Sequence, residues 1–181
     1  MLRLLLLRHA KSSWADPGLA DRERPLAPRG RDAANRMASV LTEPDFLPDL
    51  VLCSPARRTR ETLQPLLPGL PDPSCVSVVD ALYGAESGDY RQIIADHGGS
   101  ADRLLVIGHN PEIHATALRL VNAAEDDKKA LLLAAKFPTG ALAVIDFDLR
   151  DWSQIGPKTG HLAAFIRPRD LEEEAVSKHD I

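Results

Sequence analysis

Three places in the chain set a basic or imidazole side chain directly behind a short apolar run. Leu4-Leu5-Leu6-Leu7 leads into Arg8-His9-Ala10, Asp49-Leu50-Val51-Leu52-Cys53 into Ser54-Pro55-Ala56-Arg57-Arg58-Thr59, and Arg103-Leu104-Leu105-Val106-Ile107-Gly108 into His109-Asn110-Pro111. A buried strand that ends in Arg-His puts a nucleophile and an anion-binding group at the edge of a sheet. In open α/β sheets ligands bind outside the carboxyl ends of the strands. Arg8, His9, Arg58 and His109 can therefore converge although they are far apart in the chain. Helix starts are expected at the same edge, near Ala56 and Pro111, where free N–H groups and the positive end of the helix dipole favour negative charge. Two guanidinium groups, two imidazoles and two helix starts describe a site for a dianion, and the best fit is a phosphoryl group.

The elements that must position these residues can be read from periodicity. Residues 2–7 are apolar on both faces, the pattern of a central parallel strand. Residues 8–27 form a polar loop. A helix follows from Pro28, with Ala33, Ala34, Met37, Val40 and Leu41 at three-to-four spacing and proline in its first turn. Strands are expected at 49–53, 75–79 and 103–108. Helices are expected from Pro55 to about Leu67, from Asp89 to Asp96, and from Asn110-Pro111 to about Val121. This alternation implies right-handed crossovers and a parallel sheet. Residues 140–147 and 160–167 are two further strands, expected at or near one edge of the sheet with at least one antiparallel. Residues 125–129 read as a charged loop or helix start, and the tail 170–181 as a frayed end. The fold class is thus α/β, a three-layer α/β/α sandwich around a mostly parallel sheet with at least one antiparallel edge strand. The chain reads as one domain over 1–181, with the motif-bearing core at about 2–121 and the late strands within 140–167.

Composition narrows the partners. With 181 residues and a 44% hydrophobic share the chain can bury a real core. A formal charge of −4 argues against a nucleic-acid surface, though not against a local basic pocket. No stretch approaches the roughly 20 apolar residues that span a bilayer, and the run before Arg8 is too short for a signal peptide. The cytoplasm is the expected compartment. Cys53 and Cys75 fit that as small buried hydrophobes rather than a disulfide.

With these segments in view, the chain resembles the histidine phosphatase (phosphoglycerate mutase-like) superfamily. Arg8-His9-Ala10-Lys11-Ser12 resembles its first signature, and Ser54-Pro55-Ala56-Arg57-Arg58-Thr59-Arg60-Glu61-Thr62 its second, with Arg58 at the pocket position. Gly108-His109-Asn110-Pro111 resembles its third, and Arg24-Pro25-Leu26 with Arg29-Gly30 the loop before its first helix. Within the superfamily the chain is most similar to the small SixA-type phosphohistidine phosphatases. The resemblance implies a metal-independent hydrolase without a cofactor, in which His9 becomes a covalent phosphohistidine. Arg8, Arg58 and His109 would hold the phosphoryl oxygens, with Ser12 and Asn110 as secondary contacts. Glu86 is the candidate general acid, the only carboxylate near the expected place before Asp89. The expected substrate is phosphohistidine on a protein partner, and the alternative is a small phosphorylated metabolite such as a sugar or glycerate phosphate.

Rival readings are weaker. His109 and His114 are five apart, not the four that place two metal ligands on one helical face. A cysteine phosphatase would need arginine six residues after Cys53, where Thr59 stands. A mutase of the same superfamily would need a covering insertion that is not evident. A non-catalytic phosphoprotein-binding module would not need the full set of His9, Arg58 and His109. Arg57 and Arg60 read as surface residues, since helix neighbours point about 100° apart. Trp14 reads as a loop anchor, and Gly108 as a place where backbone approaches a ligand closely.

Overall fold

The computed structural model describes residues 1–177 except 86, 87 and 125. Its elements run β1 (Leu2–Arg8), α1 (Pro28–Leu41), β2 (Leu50–Cys53), α2 (Arg57–Leu63), β3 (Val76–Val78), α3 (Arg91–His97) and β4 (Arg103–Gly108). They continue with α4 (Glu112–Leu120), β5 (Val121–Ala124), α5 (Asp127–Ala135), β6 (Leu142–Phe147), β7 (Gly160–Ile166) and α6 (Pro168–Ser177). The strands form one seven-stranded sheet in the order β3-β2-β4-β1-β6-β7-β5. β1, β2, β3 and β4 are mutually parallel, and β6 runs antiparallel to both β1 and β7.

The apolar runs are buried on both faces because helices cover both. Leu5, Leu7, Val51, Cys53, Leu105 and Ile107 pack with Met37 and Leu41 of α1 and Leu63 of α2. The alternate residues Leu4, Leu6, Leu52, Leu104 and Val106 pack with Ile94 of α3, Ile113 and Ala117 of α4, and Leu133 of α5. The result is the expected α/β/α sandwich. Each fully buried leucine or isoleucine contributes roughly 1.5–3 kcal/mol relative to exposure. Register fixes where the strands stop: Arg8 lies beside Gly108, and Cys53 beside Ile107. Residues 9, 54 and 109 therefore leave the sheet together.

Three regions differ from the sequence reading. β5 is a strand not expected from the sequence, directly after α4, while α5 begins inside 125–129, the segment read as a charged loop or helix start. β5 pairs with β7 and is the true edge, so antiparallel β6 lies inside the sheet. Val121-Asn122-Ala123-Ala124 has neither alternation nor strand propensity, and pairing with β7 decides its state. Asp126 opens α5 by accepting a hydrogen bond from the Lys128 N–H at 2.8 Å. The tail read as frayed from Asp170 contains α6, which packs on α1 with Leu171 against the core and an Arg36–Glu172 ion pair.

Candidate active site

β1 delivers Arg8 and His9 to the carboxyl edge of the sheet, and backbone bonds hold them there. The His9 N–H donates to the Gly108 carbonyl at 3.0 Å, and the Gly140 N–H donates to the carbonyls of both Arg8 and His9 at 3.1 Å. Thr62 links the first motif to the second: its hydroxyl accepts from the Ala10 N–H at 3.0 Å and donates to the Arg58 carbonyl at 2.6 Å. Gly30 lets α1 close against this loop, since a Cβ there would lie 2.1 Å from the Lys11 carbonyl oxygen.

The structure brings His9, His109, Arg58 and Arg8 together. The rings of His9 and His109 are 5.2 Å apart, and Tyr83 meets the edge of His109 at 5.6 Å. His9, Arg58 and His109 are all buried. The His9 Nδ1 sits 2.8 Å from the Ala10 carbonyl oxygen. A carbonyl only accepts, so Nδ1 carries the proton and Nε2 keeps its lone pair. Burial, with the nearby His109, Arg58 and Arg8 charges, pushes the His9 pKa down to about 3 against a weaker opposing effect of the Ala10 hydrogen bond. Burial chiefly, then Arg58 and Arg8, takes His109 to about 4, opposed by Asp21. Both imidazoles are neutral near pH 7.

Arg8 bonds no carboxylate among the described residues. Its Nη1 donates to the Phe137 carbonyl at 2.8 Å, its Nε is buried without a partner among the described residues, and burial lowers its pKa. The Asn110 side-chain amide shares the same Phe137 carbonyl at 3.1 Å, while Asn110 Oδ1 and His109 Nδ1 are buried without partners. Ser12 is committed elsewhere: its hydroxyl accepts from Arg24 at 2.7 Å. Glu86, the acid suggested by sequence, lies outside the described residues.

Two features escaped sequence reading. Asp21 accepts from Arg58 at 3.0 Å, from Arg24 at 2.9 Å and from the Tyr83 hydroxyl at 2.9 Å, and its backbone carbonyl accepts from Arg58 at 2.6 Å. Burial tends to raise the Asp21 pKa, but the bonds from Tyr83, Arg58 and Arg24 and the Arg58 charge outweigh it and hold the carboxyl below its usual range. The only hint in the sequence is its place three residues before Arg24. Tyr90 is the second feature. A Cβ on Gly108 would fall 2.6 Å from the Tyr90 ring, so this glycine makes room for tyrosine rather than for a ligand. The Tyr90 hydroxyl then accepts the His109 N–H at 3.0 Å and donates to the Leu82 carbonyl at 3.1 Å.

The remaining candidates separate from this cluster. His114 Nε2 bonds the Leu133 carbonyl at 2.7 Å, as a packing residue would. Burial raises the Cys53 thiol to about 12, which leaves no thiolate to attack phosphorus. Trp14 is 73% exposed and lies against the Arg24 guanidinium, 3.1 Å from its ring centroid. Among the described residues no group of three or more His, Cys, Asp or Glu side chains is placed to hold a metal ion. No helix of the described residues is long and apolar enough to cross a membrane.

Comparison with known proteins gives the family. The family model of the histidine phosphatase superfamily (branch 1) matches residues 4–93. An uncharacterized protein of Mycobacterium tuberculosis is 37% identical over 164 residues, covering 90% of this chain and 100% of its own length. A crystal structure from Agrobacterium tumefaciens, of a protein described as the putative phosphohistidine phosphatase SixA, is 32% identical with a TM-score of 0.74 over 92% of this chain and 97% of its own. A second protein with the same description, from Nakamurella multipartitia, is 29% identical with a TM-score of 0.75 over 92% of this chain and 96% of its own. The chain belongs to the histidine phosphatase superfamily.

Proposed function

We propose that the protein is a phosphatase that works through a covalent phosphohistidine on His9 and acts on phosphohistidine carried by a protein. The observation that carries the reading is the state of His9: neutral, buried beside Arg8, Arg58 and His109, with its proton fixed on Nδ1 by the Ala10 carbonyl. The free Nε2 lone pair attacks phosphorus and the bond to the leaving group breaks. Water then attacks phospho-His9, inorganic phosphate departs and Nε2 regains its lone pair. Dividing the displacement this way replaces one hard step with two easier ones. Arg8 and Arg58 hold the equatorial oxygens with the guanidinium N–H groups not taken up by Phe137 and Asp21, and His109 stabilises the developing charge, a role typically worth about 3–4 kcal/mol per well-placed donor. These arginines supply the positive charge that a metal would bring, so the reaction needs no metal ion.

Substrate choice follows from the leaving group. An alkoxide must be protonated as it departs, whereas a phosphorylated imidazole can leave carrying its own proton on the distal nitrogen. Asp21, the carboxylate bonded to Arg58, is held ionised by its three donors and is a poor general acid. As far as the described residues go, such a site suits a phosphoramidate, and the likeness to two proteins described as putative phosphohistidine phosphatases supports the same choice. A substrate panel tests it: a phosphohistidine peptide, phosphoserine and phosphotyrosine peptides, sugar phosphates and glycerate phosphates. Turnover is expected to be fastest on the first. Turnover confined to sugar or glycerate phosphates contradicts the substrate, though not the chemistry at His9.

A further inference from the structure

We propose that Ser54 is a positioning residue that sets which ring nitrogen of His109 carries the proton. The inference rests on the phosphatase reading above and assigns a task to a residue outside the His-Arg cluster. Ser54 is the first residue beyond β2 and is fully buried. Its backbone is fixed at both ends: the N–H donates to the Ile107 carbonyl at 3.0 Å, and the carbonyl accepts from the Thr59 hydroxyl at 2.7 Å. With the backbone held, the hydroxyl oxygen lies 2.7 Å from His109 Nε2.

A serine hydroxyl has one hydrogen to give and two lone pairs to receive with. The other group near Ser54 Oγ is the Ala56 N–H at 3.5 Å, which can only donate. Among the described contacts of Oγ, His109 Nε2 is then the one available acceptor for the hydroxyl hydrogen. If Nε2 accepts, the neutral ring must carry its own proton on Nδ1. That nitrogen is buried without a partner among the described residues, in a ring 5.2 Å from His9. A buried N–H lacking an acceptor is costly, and an oxyanion bound beside His9 supplies one. The opposite tautomer fails twice. Nε2–H would donate to Oγ and leave the hydroxyl hydrogen in a fully buried place without an acceptor, and Nδ1 would turn a bare lone pair toward phosphoryl oxygens. Tyr90 assists by holding the His109 backbone N–H, so the ring meets Ser54 in one orientation.

The test is the ring nitrogen spectrum of His109 in the full-length protein labelled with 15N-histidine, read through one-bond and long-range proton couplings. The wild-type protein is expected to show protonated Nδ1 and bare Nε2 at pH 7, and added inorganic phosphate is expected to shift the Nδ1 proton. Ser54→Ala should move the ring toward the Nε2–H tautomer and lower kcat roughly 10- to 100-fold, the scale known for outer partners of metal-bound histidines, with a smaller change in KM. Ser54→Thr keeps the hydroxyl and should restore both readouts. Protonated Nε2 in the wild type, or an unchanged tautomer in Ser54→Ala, overturns the proposal. The wild-type spectrum decides alone if Ser54→Ala does not fold. It also separates the two readings: a protein that turns over no phosphorylated substrate but keeps Nδ1–H refutes the phosphatase and not the Ser54 assignment.

Discussion

The two ends of β1 and β4 carry similar residues and opposite electrostatics. At the amino end an open hollow of about 760 Å³ is lined by Arg3, Asp49, Asp102, Arg103 and Asp146 among others. Its arginines are matched: Arg3 meets both oxygens of Asp146 at 2.7 and 2.8 Å, and Arg103 meets Asp49 at 2.9 Å. The hydrogen bond to Asp146 raises the Arg3 pKa despite partial burial. At the carboxyl end Arg8 has a carbonyl for company, its Nε lacks a partner, and burial lowers its pKa. His109 Nδ1 is likewise without a partner. The amino-end arginines are paired with carboxylates, whereas at the carboxyl end Asp21 meets Arg58 but Arg8 Nε and His109 Nδ1 have no partner among the described residues. On the proposed reading the chemistry lies with the unmet donors and not with the amino-end hollow.

The largest expected effect at the carboxyl end is that of His9→Ala. Removing the attacking atom should reduce turnover roughly 10⁴-fold or more, measured as phosphate release from a phosphohistidine peptide. Arg8→Met and Arg3→Met then set the ends against each other. Arg8→Met should lower kcat/KM by about 100- to 1,000-fold while leaving stability unchanged or improved, because a poorly compensated buried charge is removed. Arg3→Met should leave kcat/KM unaltered and cost about 1–3 kcal/mol in urea unfolding, because Asp146 loses both of its Arg3 donors. The opposite pattern would erase the distinction between the ends.

Acid sharpens the same contrast. An unfolded histidine takes its proton near pH 6.5, whereas folded His9 and His109 do so at about 3 and about 4. Between these limits the unfolded chain binds more protons than the folded one, so stability rises with pH. The stability these neutral rings contribute is present above about pH 6.5 and drains away as the pH falls toward 4 and then 3. Chemical shifts of the two rings in the ligand-free protein should stay those of neutral imidazole down to about pH 5. Titration of either near 6.5 would contradict the burial argument. The smallest effect is expected for Asp21→Asn, which removes the carboxylate but spares the backbone carbonyl that also holds Arg58. KM should rise about tenfold, equivalent to about 1.4 kcal/mol, with little change in kcat.

What could be read from sequence was what local pattern encodes. Leu4–Leu7, Val51–Cys53 and Leu104–Ile107 are apolar on both faces because helices cover both, and each stops where its motif begins. Their order therefore gave away the sheet edge and the grouping of Arg8, His9, Arg58 and His109. What could not be read depends on partners distant in the chain. β5 is a strand because β7 pairs with it, and α6 is a helix that packs on α1. Asp21 lies in a polar loop and gains meaning from Arg58 and Tyr83, 37 and 62 residues away. Gly108 shows the limit of motif physics. Its lack of a side chain does mark a close approach, but the group approaching is Tyr90.

The most direct test of the central claim is to trap the intermediate. The protein would be mixed with a phosphohistidine peptide, quenched in alkali within one turnover, digested and mapped by mass spectrometry. An alkali-stable, acid-labile phosphate on His9, absent from His9→Ala, is the predicted result. Rapid turnover with no phosphoenzyme, or phosphate on a residue other than His9, would contradict the account.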